Sequence, residues 1–144
     1  MLFQGKYDLR TPREKLWKFI NDPAKIGNCL PDLKNLQIES ADRFLATVSV
    51  GVGPIKSDFK FRIEIVERQP ISRVRLKAVG NGTGSSITID TIVELAELQG
   101  GTALSYVSEA IIGGMIVSLG QRLIRETADK TISRVFTCVK QQLE

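Results

Sequence analysis

Histidine is absent from the 144 residues. That absence removes every Ser-His-Asp or Cys-His nucleophilic pair and every His-containing metal site from this chain. No DxDxDG-like acidic cluster supports a calcium or magnesium loop. Cysteine is scarce: Cys29 and Cys138 have no CxxC spacing, and two thiols alone do not define a disulfide framework. They are expected as small buried apolar groups in a reducing compartment. No apolar run approaches the ~18 residues needed to span a bilayer. The opening MLFQGKYDLR lacks the apolar core of a secretory signal, so a cytoplasmic protein is the expectation.

Strong charge of one sign is also missing. The formal net charge is +4, and residues such as Lys15, Lys18 and Arg62 are interleaved with acids rather than gathered as a nucleic-acid footprint would be. Arg73, Arg75 and Lys77 do share one strand face by period-two alternation. They read as a solvated outer sheet face that could touch an acidic partner or anionic lipid.

The composition that remains, 42% apolar and 25% charged, is that of one ordinary globular domain spanning 1–144. Leu2 to Arg10 alternates weakly as a first strand. Thr11-Pro12-Arg13-Glu14 then predicts a helix start, with Thr11 as N-cap and Glu14 as its capping-box partner. Asn21-Asp22-Pro23 ends that helix and begins a second short one. Five strands are predicted after Leu30-Pro31-Asp32. In the second of them Phe59, Phe61, Ile63 and Ile65 face one way, and Asp58, Lys60, Arg62 and Glu64 the other. Gly80-Asn81-Gly82-Thr83-Gly84 precedes a strand rather than a helix, so it reads as a hairpin turn and not a phosphate loop.

From Met115 to about Gln142 the spacing predicts one helix about 40 Å long. Ile116, Leu119, Leu123 and Thr127 form one row, and Ile132, Val135, Phe136 and Val139 a second, rotated row. The two halves should meet different surroundings. Hairpin-length connections make the sheet antiparallel, and a curved sheet wrapped on the terminal helix is the simplest packing.

Several segments resemble the CoxG family of proteins linked to carbon monoxide dehydrogenase. They are Pro12-Arg13-Glu14-Lys15-Leu16-Trp17, Asn21-Asp22-Pro23, Cys29-Leu30-Pro31-Asp32-Leu33, Val52-Gly53-Pro54-Ile55-Lys56 and Leu119-Gly120-Gln121-Arg122-Leu123-Ile124. The resemblance covers nearly the whole chain, in order. It implies an α+β helix-grip fold of the START-like superfamily: a curved seven-stranded antiparallel sheet around a long C-terminal helix, two short helices after strand 1, and an apolar cavity. It also implies association with a molybdenum-containing carbon monoxide dehydrogenase or related hydroxylase, peripheral contact with the inner membrane face, and carriage of a quinone. Many bacterial members carry a C-terminal membrane tail. A sequence ending at Glu144 leads to the expectation that such a tail does not contribute here.

Three functions follow as expectations. The first is a non-catalytic carrier of a hydrophobic small molecule, with menaquinone or a related isoprenoid as the most specific candidate and no cofactor. Its inward-facing residues would be Phe44, Val48, Phe59, Phe61, Leu76, Ile89, Tyr106, Leu119 and Leu123. The glycine-rich segments 51–55, 80–84 and 113–114 would form a portal with Val52, Ile55, Met115 and Ile116 as its apolar lip. The second is a cyclase-like enzyme, whose acid-base candidates shrink to Tyr106, Glu109 and Asp90, with both carboxylates better placed outward. The third is an assembly or membrane-recruitment factor using the Val50–Ile55 loop and the basic strand face.

Overall fold

The computed structural model describes Met1–Glu144. Seven strands are connected in the order β1 (Leu2–Leu9), β2 (Leu33–Ile38), β3 (Arg43–Val52), β4 (Ile55–Gln69), β5 (Arg73–Gly82), β6 (Ser85–Leu98) and β7 (Gly101–Gly114). Helices α1 (Arg13–Ile20) and α2 (Pro23–Gly27) lie between β1 and β2, and α3 (Gln121–Leu143) closes the chain. The strands pair antiparallel as β1-β7-β6-β5-β4-β3-β2. Each hairpin from β2 to β7 is sequential, and only β1 crosses to pair with β7, Leu2 opposite Glu109 and Leu9 opposite Thr102.

Period-two alternation decides which side chains face α3. Phe59 and Ile65 are buried, and the intervening Lys60, Arg62 and Glu64 lie on the convex side with Arg75 and Asp90. The strand β2 was not legible by alternation. Its register slips between Leu33 and Asn35, and that bulge puts Leu33 and Leu36 out of step with a simple period of two.

Two details of the helices differ from expectation. The N-cap of α1 is Pro12, and no side chain caps it. Thr11 sits one residue further out because its carbonyl accepts a hydrogen bond from Thr102 Oγ1 at 2.8 Å, which ties it to β7. Its own hydroxyl is buried without a partner. The cap expected of Thr11 is instead made in α2, where Asp22 Oδ1 accepts from the Ala24 amide at 3.0 Å. A buried, unpartnered hydroxyl destabilises, so Thr11→Val should raise stability by about 1 kcal/mol in chemical denaturation. A lower midpoint for the variant would reveal a partner for that hydroxyl.

The terminal helix starts later than expected. Met115–Leu119 is a 3-10 turn, and Gly120 follows at φ 89, ψ 153, a conformation open in practice only to glycine. Gly114 has φ 86, so left-handed glycines bracket the turn on both sides. An α-helix cannot run through Gly120, and α3 is 23 residues long, about 35 Å. Ile116 and Leu119 therefore belong to the turn and not to the helix face that carries Leu123.

Cys29 and Cys138 are disulfide-bonded, with their Cα atoms 5.5 Å apart. The expectation of two free thiols is corrected here. The end of α2 packs beside the last turns of α3, and this brings together two residues separated by 109 positions.

Candidate functional site

The apolar interior divides into two closed ends. One is a cluster of 11 buried residues under α1 and α2, including Leu9, Leu16, Phe19, Ile65, Val74, Leu104, Val139 and Leu143. The other is a smaller cluster of Val48, Val52, Phe59, Ile116 and Ile124 at the opposite end of the sheet. The helix is plugged into the small cluster by Ile124 and into the large one by Val139 and Leu143. Its backbone comes near β3 and the 3-10 turn.

Between the two ends runs a belt of concave-face residues that stay half-buried although they lie under the helix. Phe61, Ile63, Leu76, Ile89, Val93 and Tyr106 supply it from the sheet, and Leu123, Thr127, Ala128, Ile132 and Val135 from α3. Ala128 is the informative one. At 100° per residue it lies within about 40° of Ile124 and within about 20° of Val135 and Val139. It is at the centre of the inward stripe and is still solvent-reachable. The middle of the inward stripe is thus less tightly covered than its two ends.

Glycines thin the sheet beneath this belt. A side chain at Gly82 would meet the Phe59 ring at 2.6 Å and one at Gly5 would meet the Tyr106 ring at 2.8 Å, while Phe61 lies over Gly80 in the same way. Each aromatic ring thus lies down across a neighbouring strand instead of standing into the space above. Gly80 and Gly82 are strand residues, and the turn itself is confined to Thr83-Gly84. Tyr7, Tyr106 and Phe136 stack at the β1 side, with Tyr7 and Phe136 centroids 4.0 Å apart.

Few polar groups lie on the concave face beside this belt. Thr91 on β6 and Ser108 on β7 are register partners whose hydroxyl oxygens lie 2.8 Å apart. The Tyr106 hydroxyl has its pKa pushed up by burial, with smaller contributions from Tyr7 and Asp129, so it stays protonated and able to donate. Asp90, on the other face, is held by Arg75 through bonds of 2.9 and 2.6 Å, which depress its pKa. Glu109 is the register partner of Asp90 and lies on that same convex side.

The residues expected at the site are distributed as follows. Phe61 and Leu123 are half-buried against the small cluster, Leu76 and Tyr106 against the large one, and Ile89 is half-buried on the same concave face. Phe44 is fully buried, while Val48, Phe59 and Ile116 belong to the closed small cluster, against which Leu119 also packs. Met115 is 56% exposed on the outside of the 3-10 turn. The three glycine-rich segments do converge: the Met115 amide donates to the Gly84 carbonyl at 2.8 Å, and Gly53 adjoins Leu123. Val52 and Ile116 are buried there, at 3% and 2% exposure, and Val117 rather than Ile116 shares the surface with Met115. Thr91, Ser108, Ala128 and Tyr7 were not among the expected site residues. Thr91 sits in the inward row Ile87-Ile89-Thr91-Val93-Leu95, where a polar residue was a visible exception.

Two depressions lie elsewhere on the surface. One, about 440 Å³, is lined by Lys34, Ser49, Lys56, Ser57, Asp58 and Thr83 and has no apolar wall. The other, about 370 Å³, lies over the disulfide. Neither has the apolar enclosure that a lipid-like ligand requires.

Residues 5–144 match the family of the carbon monoxide dehydrogenase G subunit (CoxG). No curated protein matches the chain. Among solved structures, a conserved protein from Geobacillus kaustophilus superposes with a TM-score of 0.91 at 23% identity, covering 99% of this chain and 94% of that one. A START superfamily protein from Mycobacterium smegmatis gives 0.73 at 9% identity over 99% and 96% of the two chains. The di-domain aromatase/cyclase BexL gives 0.65 at 13% identity, covering all of this chain and 50% of that one. These likenesses show the fold, which is the START-like helix-grip.

Proposed function

The chain belongs to the CoxG family of carbon monoxide dehydrogenase, and from that premise we propose that it is a non-catalytic carrier of a hydrophobic ligand. The observation that carries the reading is the half-buried apolar belt that lies between two closed cores on the concave face. Burial of apolar ligand surface there at ~25 cal/mol per Å² supplies the binding energy. Family membership supports an isoprenoid quinone such as menaquinone as cargo and a molybdenum-containing carbon monoxide dehydrogenase as the partner that meets it.

The placement of charge supports carriage over catalysis. Asp90 is committed to Arg75 on the convex side, and Glu109 lies beside it. Tyr106 is the one of the three acid-base candidates on the concave face, and a phenol held protonated is a poor general base. Native mass spectrometry with organic extraction of the purified protein should recover a bound isoprenoid. Recovery of protein that neither holds such a lipid nor takes one up would end the carrier reading.

The exposed Met115 and Val117 beside the glycine-bracketed turn suit the lip of a portal. Replacing both by Asp should slow menaquinone uptake from liposomes about tenfold, the effect of raising the barrier by roughly 1.4 kcal/mol. Ile116 is left alone because a charge in the small core would unfold it. Uptake at the wild-type rate in a variant that melts cooperatively would move the entrance elsewhere.

A further inference from the structure

We infer that the surface depression over Cys29 and Cys138 is a thiol–disulfide exchange site. Through it a small anionic disulfide installs the bond on the already folded chain, with Cys138 as the entry thiol and Cys29 as the resolving one. The inference is independent of the carrier reading.

The depression, about 370 Å³, is walled by three helices: Lys15 and Phe19 come from α1, Lys25 and Asn28 from α2 and its end, and Gln142 and Leu143 from α3. Both cysteines line it, but unequally. Cys29 is 4% exposed and belongs to the larger core, whereas Cys138 is half-buried. Exchange requires direct approach to a sulfur, so access decides which cysteine reacts first, and that is Cys138. Its neighbour then lies within closing distance, since the fold holds the two Cα atoms 5.5 Å apart.

Charge selects the reagent. Lys15 and Lys25 are the charged residues of the lining, both exposed, and no carboxylate lines it. Glu14, beside Lys15 in sequence, lies outside the lining. Three other acids are engaged: Asp32 by Arg134, one turn before Cys138, Asp22 by the first amides of α2, and Glu144 by the Arg10 amide. Two free ammonium groups raise the local concentration of an anionic reagent and lower that of a cationic one. In the reduced chain the Cys138 thiolate attacks one sulfur of a disulfide RSSR, forming Cys138–S–S–R and releasing RS⁻. Cys29 then passes its proton to water and attacks the Cys138 sulfur. The Cys29–Cys138 bond forms and the second RS⁻ leaves. Two electrons have passed from the protein dithiol to RSSR, which is reduced to two thiolates.

The test oxidises the reduced protein with three probes of similar size: dithiodipropionate, hydroxyethyl disulfide and cystamine, which are anionic, neutral and cationic. Each rate constant is divided by that for the same probe with N-acetylcysteine amide. At low ionic strength the anionic probe should close the bond about tenfold faster than the cationic one, a preference that fades as salt screens the lysines. Lys15→Gln with Lys25→Gln should bring the three normalised rates together. In Cys29→Ser, mass spectrometry should find one probe half on Cys138, whereas Cys29 in Cys138→Ser should react at least about tenfold more slowly. Equal normalised rates in the wild type, or a faster Cys29, overturns the site. So does a reduced chain that circular dichroism shows to be unfolded, because the bond would then form before the depression exists. The wild-type comparison needs no variant and decides the matter if the serine variants fail to fold.

Discussion

Reduction of the Cys29–Cys138 bond should lower the free energy of unfolding by about 4 kcal/mol. The bond closes a loop of 109 residues, and in the chain-entropy account a loop of about 100 residues restrains the unfolded chain by roughly 4.7 kcal/mol. It also fastens α2 to α3 within the larger core, where Cys29 is buried among Phe19, Ile20 and Val139. Denaturant unfolding with and without a dithiol reductant measures the difference. A Cys29→Ala, Cys138→Ala variant should match the reduced protein. A change under about 1 kcal/mol would mean that the two sulfurs are thiols in the working protein, as composition alone suggested.

Ala128→Trp should abolish ligand binding, with a loss of affinity of at least about a hundredfold, and leave the protein at least as stable as before. Ala128 is small, central to the inward stripe of α3, and reachable by solvent. An indole there occupies the volume a ligand needs. In a packed core the same change would force neighbours off their rotamers at roughly 1–3 kcal/mol. Stability and binding thus move in different directions only if the space is open. Thermal unfolding together with quinone titration reads both. A variant that loses stability and binds normally would show that the middle of the helix packs against the sheet and that the ligand lies elsewhere.

Much of the fold was legible because alternation is a local property. Ile55–Gln69 shows its inward and outward faces in the order of its residues, and Asp22-Pro23 shows a cap and a first helical position. The errors arose where a tertiary contact overrode a local signal. Thr11 has the residue type of a cap, and its carbonyl is committed to Thr102 across 91 positions. Met115–Leu119 has helical spacing of apolar residues, but the same spacing serves a 3-10 turn, and the backbone of Gly120 marks the boundary. The cysteine pairing depends on how α2 meets α3, which no spacing encodes. The concave face was legible: Phe61, Leu76, Ile89, Tyr106 and Leu123 followed from alternation or helical azimuth and are half-buried, whereas Phe59 and Ile116 share the same apolar character and lie in a closed core, because burial depends on what packs above a residue and not on its place in the alternation. The partnership of Thr91 with Ser108 required the register of β6 on β7.

The way α3 is held has a mechanical consequence. It is a cantilever: clamped at its C-terminal end by the disulfide and an 11-residue core, and jointed at the other by a short turn between two glycines over a core of 5 residues. Between these ends Arg125 donates to the Leu2 carbonyl and Arg134 pairs with Asp32, so lifting the jointed end would cost those two links and the smaller core but no strand-to-strand hydrogen bond. On the carrier reading, a longer cargo tail is expected to act first on that jointed end.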